Sequence, residues 1–349
     1  MSYATARTRS CGRSTAIARP GSSTWSSSPR SATETPGSAA PKPSADSSRA
    51  SAEVSAVSTQ DRVNGVLAFT DHLERDAIVA YARRLEDLGY ETMLLPDLFG
   101  RDLFVLAGYV LGHTARLRVG TGIAGIYGRD PMAMLHHART LSELYDGRFL
   151  LGLGISNPMG AALRGQAWTP PLARMRAYLD TMRELEARSP PARHRAPVHI
   201  AAHGPKMLGL AASHADGANT YLMPPARTAE ARSILGPERV LSVFLPCCLC
   251  EDPAQARKTA RKTLAPYLTI DAYPAQWRKL GFADADFQSG GSDRLIDALV
   301  AHGDAAAIRA RIAEHLAAGA DHVVVLPYNP VPRGPAVFWP VLEALAPRA

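Results

Sequence analysis

The chain is poor in cysteine and lacks any long apolar run. Its 349 residues contain four cysteines, and Cys247, Cys248 and Cys250 share one apolar stretch, with no second ligand pair at zinc-finger spacing. We therefore expect buried thiols in a reducing cytoplasm. No apolar run reaches the roughly 18 residues that a membrane-spanning helix requires, so a cytoplasmic protein without a membrane partner is predicted.

Positive charge is also scarce outside the N-terminal segment. The formal net charge is +7, and residues 1–60 contain seven basic and three acidic side chains, which leaves +3 for the other 289 residues. A body this close to neutral does not present the basic surface that nucleic-acid binding requires. Nucleic acid is therefore not an expected partner.

Residues 1–60 contain no Leu and no Phe, and their only branched aliphatic residues are Ile17, Val54 and Val57. Such a low-complexity segment cannot bury enough apolar surface to offset the entropy that is lost on ordering. It also lacks the hydrophobic region of a secretory signal. We predict a disordered extension over residues 1–60 and a folded domain over residues 61–349.

From residue 63 onward, short apolar runs alternate with amphipathic stretches. Runs that are nearly continuous in Val, Ile, Leu or Ala are typical of strands buried on both faces. The runs span residues 63–69, 91–95, 117–122, 148–154, 197–202, 217–222, 239–245 and 321–326. Eight strands alternating with helices predict an α/β fold, a (β/α)8 TIM barrel, with a doubly wound open sheet as the second interpretation. Long stretches at 155–196 and 246–319 are predicted insertions after strands four and seven that cover the active site.

Helix signals stand between these runs. Asp71-His72-Leu73-Glu74 has the pattern of a capping box, and the helix that it opens is predicted to stop at Gly89. Further helices are predicted over Pro131–Tyr145, Asp252–Tyr267, Asp304–Ala318 and Pro335–Leu345.

The segment His203-Gly204-Pro205-Lys206-Met207 follows the fifth run and opens a short helix. Gly204 permits a turn without a Cβ penalty, and Pro205 suits the first helical position. The next N–H groups then point out of the helix start, and Lys206 adds a positive charge. Together they favour an anion site for the phosphate of a cofactor. An ordinary strand–helix turn with a surface lysine is the alternative.

The residues just past the other strands bring little reactive chemistry. They contain no HxH or HExxH metal-ligand spacing and no Gly-x-Ser-x-Gly nucleophile elbow, so no metal site is predicted. By elimination, a bound cofactor is expected to perform the difficult step. The pairs Gly120/Gly122 and Gly152/Gly154 indicate a bulge or a close backbone approach, with either a flat cofactor ring or relief of barrel crowding as its reason.

Five regions carry a resemblance to a known family. They are Leu94–Asp97, Val119–Ile123 with Ile126–Asp130, Gly147–Ser156, Gly204–Met207 with His214–Gly217, and Gly290–Leu295. Through them, residues 63–328 resemble the luciferase-like family of flavin and deazaflavin oxidoreductases, and most of all its actinobacterial subgroup that uses coenzyme F420. The resemblance implies a TIM barrel that transfers a hydride between reduced F420 and a small organic substrate.

The resemblance also implies where the cofactor binds. The helix start Gly204–Met207 would hold its phosphate, and a non-prolyl cis peptide between Gly122 and Ile123 would lie behind its central ring. Asn157 stands where related chains often have a His, and His203 stands where they have an apolar or small residue. The predicted cofactor-binding residues are Gly122, Ile123, Gly154, Ser156, Asn157, His203, Gly204, Pro205, Lys206 and Met207.

The general acid is not fixed by the resemblance. Family members often carry an acid–His pair after strand two, and this chain has Asp97-Leu98 there. The predicted catalytic residues are Asp97, His72 and Tyr127. His203 is also eligible, and a capping or supporting hydrogen bond is the alternative role for each of the four.

Two other functions stay open. The same fold and phosphate site would suit an FMN-dependent monooxygenase. A barrel that binds a flavin without turnover belongs to a different class, because fold does not fix activity. A small-molecule substrate is the expected partner, and a homodimer is an assembly that the sequence leaves open.

Overall fold

The computed structural model describes residues 63–97 and 100–347, so the predicted extension over residues 1–60 lies outside the described residues. Each of the eight predicted runs overlaps one barrel strand, and two short strands accompany them. The seventh strand extends to Leu249, four residues beyond its predicted end, because residues 246–249 continue its pairing with neighbouring strands. The strands are β1 (Val63–Leu67), β2 (Thr92–Leu95), β3 (Arg118–Thr121), β4 (Ala124–Gly125), β5 (Phe149–Gly154), β6 (Val198–Ala201), β7 (Gly217–Tyr221), β8 (Val240–Leu249), β9 (Ala301–Gly303) and β10 (His322–Pro327).

Eight of these strands close into a barrel. Parallel pairing runs in the order β1, β2, β3, β5, β6, β7, β8, and β10 then pairs with both β8 and β1. The short strands extend the sheet locally, β4 beside β5 and β9 beside the end of β8. The predicted TIM barrel is confirmed. The open sheet is wrong, because closure leaves neither β1 nor β10 as an edge strand.

Helices connect the strands and cover the outside of the barrel. They are α1 (Arg75–Asp87), α2 (Leu103–Gly112), α3 (Pro131–Leu144), α4 (Pro158–Leu163), α5 (Pro171–Arg188), α6 (Pro205–His214), α7 (Pro225–Leu235), α8 (Pro253–Leu268), α9 (Ala272–Lys279), α10 (Asp293–Leu299), α11 (Ala305–Ala317) and α12 (Trp339–Leu345), with a 3₁₀ helix at Asp284–Gly290. In the described ranges, none of them has the length and apolar character that a bilayer span would need.

Two helix starts differ from the sequence prediction. The capping box at Asp71 is wrong, since α1 begins only after Glu74 and no side chain caps it. The Asp71 carboxylate instead accepts a hydrogen bond from the N–H of Gly100, 3.2 Å away, in the neighbouring loop after β2. The predicted stop is confirmed, because Gly89 follows α1 with φ of 84°, a left-handed value that suits glycine. The last helix begins at Trp339, four residues beyond the predicted Pro335.

The core has two parts, one between the sheet and its helices and one inside the barrel. The inner part includes Leu94, Phe244 and Leu326, and it continues outward to the buried Trp277 of α9. Burial on both faces explains why the strands read as unbroken apolar runs. Cys247 and Cys248 are buried free thiols, and burial raises the pKa of Cys248 to about 12, so they pack as small apolar side chains.

Two long segments leave the carboxyl ends of strands. Helices α4 and α5 stand between β5 and β6, while α8, α9, the 3₁₀ helix, α10, β9 and α11 stand between β8 and β10. Active sites of such barrels are built at these carboxyl ends. The second segment supplies α9, which contacts the start of α6.

Candidate active site

The predicted bulge lies where β3 passes into β4. Gly120 pairs with Leu150 and Ala124 pairs with Leu153, so the β3–β4 strand has one more residue than β5 over the same stretch. Within it, the peptide bond between Gly122 and Ile123 is cis, which confirms the geometry that the resemblance implied. The bulge lies just after β3, at the carboxyl end of the strand, which is the end that faces the barrel mouth.

Thr121 replaces the backbone pairing that the bulge interrupts. Its hydroxyl donates to the carbonyl of Gly152 at 2.6 Å and accepts from the N–H of the same residue at 2.8 Å. Both polar groups of a buried strand residue are thereby paired, which offsets their loss of water.

The glycines of β5 make room for this bulge. A Cβ on Gly152 would lie 2.1 Å from the carbonyl oxygen of Thr121, and a Cβ on Gly154 would lie 1.4 Å from Cδ1 of Ile123. Of the two reasons offered by the sequence, relief of crowding therefore accounts for both β5 glycines.

Gly122 faces the apolar interior. A Cβ at this position would lie 2.7 Å from Cδ1 of Leu67 and 3.4 Å from Cε2 of Phe244. Gly122 and Ile123 are both half-buried, whereas Thr121 and Ala124 on either side are buried. The bulge thus offers a small apolar platform at the barrel mouth, of the kind that a flat ring can contact.

The helix start after β6 has unpaired donors, as the anion-site prediction requires. Lys206 is exposed, and within residues 63–97 and 100–347 neither its N–H nor its ammonium group has a hydrogen-bond or ion-pair partner. The N–H groups of Met207 and Leu208 turn back to the carbonyl of Gly204, at 3.1 and 3.0 Å. Pro205 stands at the first helical position, as predicted.

The reason given for Gly204 is wrong. Its φ is −113°, which any residue adopts, so no left-handed turn demands glycine here. The nearest atom to a Cβ on Gly204 would be Nε2 of Gln276 on α9, at 3.4 Å. The missing side chain therefore leaves open space between the α6 start and the Gln276 amide.

Arg227 of α7 supports this corner and was missed from the sequence. It is buried, donates to the carbonyl of His203 at 2.8 Å, approaches Oε1 of Gln276 at 3.5 Å and pairs with Glu230. No local motif marks Arg227 or Gln276. They join the helix start only through the packing of α7 and α9.

His203 is neutral at physiological pH. Burial, with a smaller effect of the Arg227 charge, lowers its pKa to about 4. Its Nδ1 is buried and has no hydrogen-bond partner among the described residues, and its ring lies against Tyr273, with ring centroids 4.8 Å apart. A neutral imidazole adds no positive charge for a phosphate, but it can offer one hydrogen bond.

Four tyrosines connect the helix start with the bulge. Tyr273 contacts Tyr267, with ring centroids 5.2 Å apart, and Tyr267 contacts Tyr221 at the same distance. Tyr221 pairs in register with Phe244, the residue beneath Gly122. We call Tyr221, Tyr267, Tyr273 and Tyr328 the tyrosine cluster. Tyr328 directly follows β10, and its hydroxyl is buried and interacts with Tyr221.

Tyr273 and Tyr328 stay protonated. Burial raises the pKa of Tyr273 and of Tyr328 far above the ordinary value, and neighbouring tyrosines raise the pKa of Tyr273 further. Their hydroxyls are therefore hydrogen-bond donors throughout the physiological range. Tyr221, Tyr267 and Tyr273 arrive from β7, α8 and α9, and no local sequence motif marks them.

Asp97 anchors the bulge. Its Oδ2 accepts from the N–H of Gly125 at 3.1 Å and from Nη1 of Arg129 at 3.2 Å. Arg129 also pairs with Asp102 at 2.7 Å, and the side chain of Asp97 is only 10% exposed. These contacts hold the carboxylate against the bulge, which suits a positioning role.

Asp97→Asn is expected to lower the free energy of unfolding by about 1–3 kcal/mol, since it removes a buried charge-assisted contact and leaves Arg129 with Asp102 alone. Urea denaturation measures the change. Asp130→Asn is the matched control, because Asp130 caps α3 and Asn caps almost as well. Unchanged stability together with lost turnover would instead mark Asp97 as catalytic.

Tyr127 is buried and engaged. Its hydroxyl accepts from the N–H of Thr169 at 3.1 Å, and its ring stacks on Trp168, with centroids 5.6 Å apart. The guanidinium of Arg174 lies 5.0 Å from the ring centroid. Tyr127 thus ties the segment between α4 and α5 to the barrel. His72, the third predicted catalytic residue, is exposed in the loop after β1.

Ser156 and Asn157 form the turn that opens α4. Ser156 takes φ of 66°, and the space beside its Oγ exists because Gly160 has no Cβ. The side chain of Asn157 accepts from the N–H of Gly160 at 2.8 Å and so caps the helix. Across the described part of the chain, no three potential metal-ligating side chains come together.

A bulge with a cis peptide, an anion-ready helix start and an aromatic lining at one barrel mouth define a cofactor-binding barrel enzyme. The family model of luciferase-like monooxygenases matches residues 56–322. The chain therefore belongs to the luciferase-like monooxygenase family.

Similar proteins include enzymes of two cofactor types. A Mycobacterium tuberculosis protein named as a coenzyme F420-dependent oxidoreductase is 26% identical over 303 residues, which are 69% of this chain and 87% of that protein. A solved F420-dependent secondary alcohol dehydrogenase with an F420–acetone adduct superposes with a TM-score of 0.63 at 16% identity, over 76% of this chain and 93% of that one. The FMN-bound oxygenating component of 3,6-diketocamphane monooxygenase from Pseudomonas putida gives 0.58 at 13%, over 82% and 97%. At these low identities, the similarity to the solved structures shows a shared fold and nothing more.

Proposed function

We propose that the protein transfers a hydride between coenzyme F420 and a small organic substrate. The observation that carries the proposal is the joint presence of the unpaired Lys206 helix start and the Gly122–Ile123 bulge at one mouth. The M. tuberculosis relative named as F420-dependent supports the choice of cofactor. When bound, F420 supplies two-electron hydride chemistry.

The residues fit a phosphorylated, flat cofactor. The N–H and ammonium of Lys206 and the amide of Gln276 offer donors around the open side of Gly204. A phosphate there satisfies donors that otherwise face only solvent. Gly122 and Ile123 would contact the ring, and Gly154, Ser156 and Asn157 shape the adjoining turn.

The predicted catalytic residues divide by role in this proposal. Asp97 positions the bulge through Gly125 and Arg129, and Tyr127 fixes the segment between α4 and α5. His72 is exposed and, within the described ranges, has no hydrogen-bond partner, so its ring is free to reach a substrate. The substrate would lie against the tyrosine cluster, where Tyr328 offers a buried hydroxyl.

Parallel titrations with F420 and FMN test the cofactor. At low salt we expect F420 to bind at least about tenfold more tightly than FMN, a difference of roughly 1.4 kcal/mol. Quenching of cofactor fluorescence reports both affinities. Submicromolar FMN binding with no detectable F420 binding would overturn the proposal in favour of an FMN-dependent monooxygenase, which the Pseudomonas putida fold neighbour makes the second candidate.

A further inference from the structure

A cavity of about 220 Å³ opens between α8 and the segment that follows β10. Its lining includes three cations, Lys258 and Lys262 from α8 and Arg333 from the segment, and no acidic side chain. The whole chain contains only five lysines, so two on one small cavity are a marked concentration. Three like charges facing one space repel each other, and a bound anion relieves that repulsion.

The three cations lack counter-charges, in contrast to their neighbours. On the adjoining face of α8, Arg257 pairs with Asp297 at 2.7 Å, and Arg261 pairs with Asp293. The side chains of Lys258, Lys262 and Arg333 are exposed and make no ion pair or hydrogen bond with any residue of the described ranges. The positive charges on one face of α8 are therefore neutralised by acidic residues of this chain. The cations on the cavity side have no such partner in the described ranges and are available to an external anion.

The wall opposite α8 is firmly built. Asn329 accepts from the N–H of Val331 and donates to the carbonyl of Pro335, both at 2.9 Å. Gln255 of α8 donates to the carbonyl of Pro330 at 2.7 Å and ties the segment to the helix. Arg333 itself has φ of 55°, a left-handed conformation that residues with a side chain rarely adopt. These hydrogen bonds hold the segment 329–335 in a fixed position beside Lys258 and Lys262.

The cavity also adjoins the barrel mouth. Both walls leave the carboxyl ends of barrel strands, since α8 follows β8 and the segment 329–333 follows β10 and Tyr328. A ligand that occupies the mouth can therefore extend an arm toward these cations.

We propose that Lys258, Lys262 and Arg333 bind the carboxylate or phosphate group of a ligand whose other end lies in the barrel mouth. Two sources have this chemistry, the acidic glutamyl tail of F420 and an acidic group on the substrate. The identity of the source rests on the proposed function, while the anion site itself does not.

Isothermal titration calorimetry with sodium tripolyphosphate tests the site at low salt. The double variant Lys258→Gln with Lys262→Gln is expected to bind at least about tenfold more weakly than the unaltered protein, and added salt should weaken binding further. Lys279→Gln on α9 is the matched control, because it removes an exposed lysine that does not line the cavity. Equal binding by the double variant, or no binding by the unaltered protein, would overturn the site.

Titration with F420 and with its tail-free, phosphate-free deazaflavin core identifies the source. If the tail is the ligand, the double variant loses affinity for F420 and keeps its affinity for the core. If the substrate supplies the anion, both affinities stay unchanged while tripolyphosphate binding is still lost. Failure of the proposed function looks different, since neither deazaflavin would then bind although tripolyphosphate does.

Discussion

Gly152→Ala is expected to destabilise the protein by about 3 kcal/mol or more, the largest effect of any substitution considered for the barrel. The added Cβ would lie 2.1 Å from the carbonyl oxygen of Thr121 and 3.2 Å from Nδ2 of Asn219. Overpacking costs about 1–3 kcal/mol where side chains can shift, and more where backbone blocks the new atom. Here the blocking atom belongs to the backbone of the bulge, so β3 and β5 must separate.

Thermal and urea unfolding measure this loss, and F420 titration reports whether the bulge has moved. Gly209→Ala is the matched control, since a Cβ on this exposed glycine of α6 would meet nothing within 4 Å. In a helix that change stabilises by about 0.5–1 kcal/mol. If Gly152→Ala unfolds at the same urea concentration as the unaltered protein, the bulge accommodates the added Cβ without loss of stability, and the prediction is wrong.

Lys206→Ala is expected to weaken cofactor binding by roughly 1–3 kcal/mol, which is about 5- to 150-fold in Kd. The physical reason is that the ammonium has no partner in the described ranges and so gives its full charge to a phosphate. Because F420 and FMN both carry that phosphate, affinity for each of them should fall by a similar factor. Fluorescence titration of both cofactors measures the effect.

The stability of the Lys206→Ala variant should stay unchanged, because the side chain is exposed and pairs with no described residue. Lys279→Ala serves as the control for the loss of one exposed lysine. If Lys206→Ala binds both cofactors as tightly as the unaltered chain, the helix start is an ordinary strand–helix turn and the phosphate lies elsewhere.

The sequence by itself determined the architecture and the local features of the site. Eight apolar runs specified strands buried on both faces, and the helix signals between them left a closed parallel barrel as the best solution. Pro205 and Lys206 specified the helix start, because first-turn chemistry depends on consecutive residues. The resemblance supplied the cis peptide at Gly122–Ile123, which the structure confirms.

Only the tertiary structure decided what surrounds these features. The sequence left Asp97 eligible either for catalysis or for a supporting hydrogen bond, and the structure ties it to Arg129 and Gly125. Arg227 and Gln276 reach the α6 start from α7 and α9, and no pattern within either helix signals that meeting. A sequence pattern records periodicity within one segment. The partners of a side chain depend on where distant segments pack, and closure of the barrel sets that arrangement.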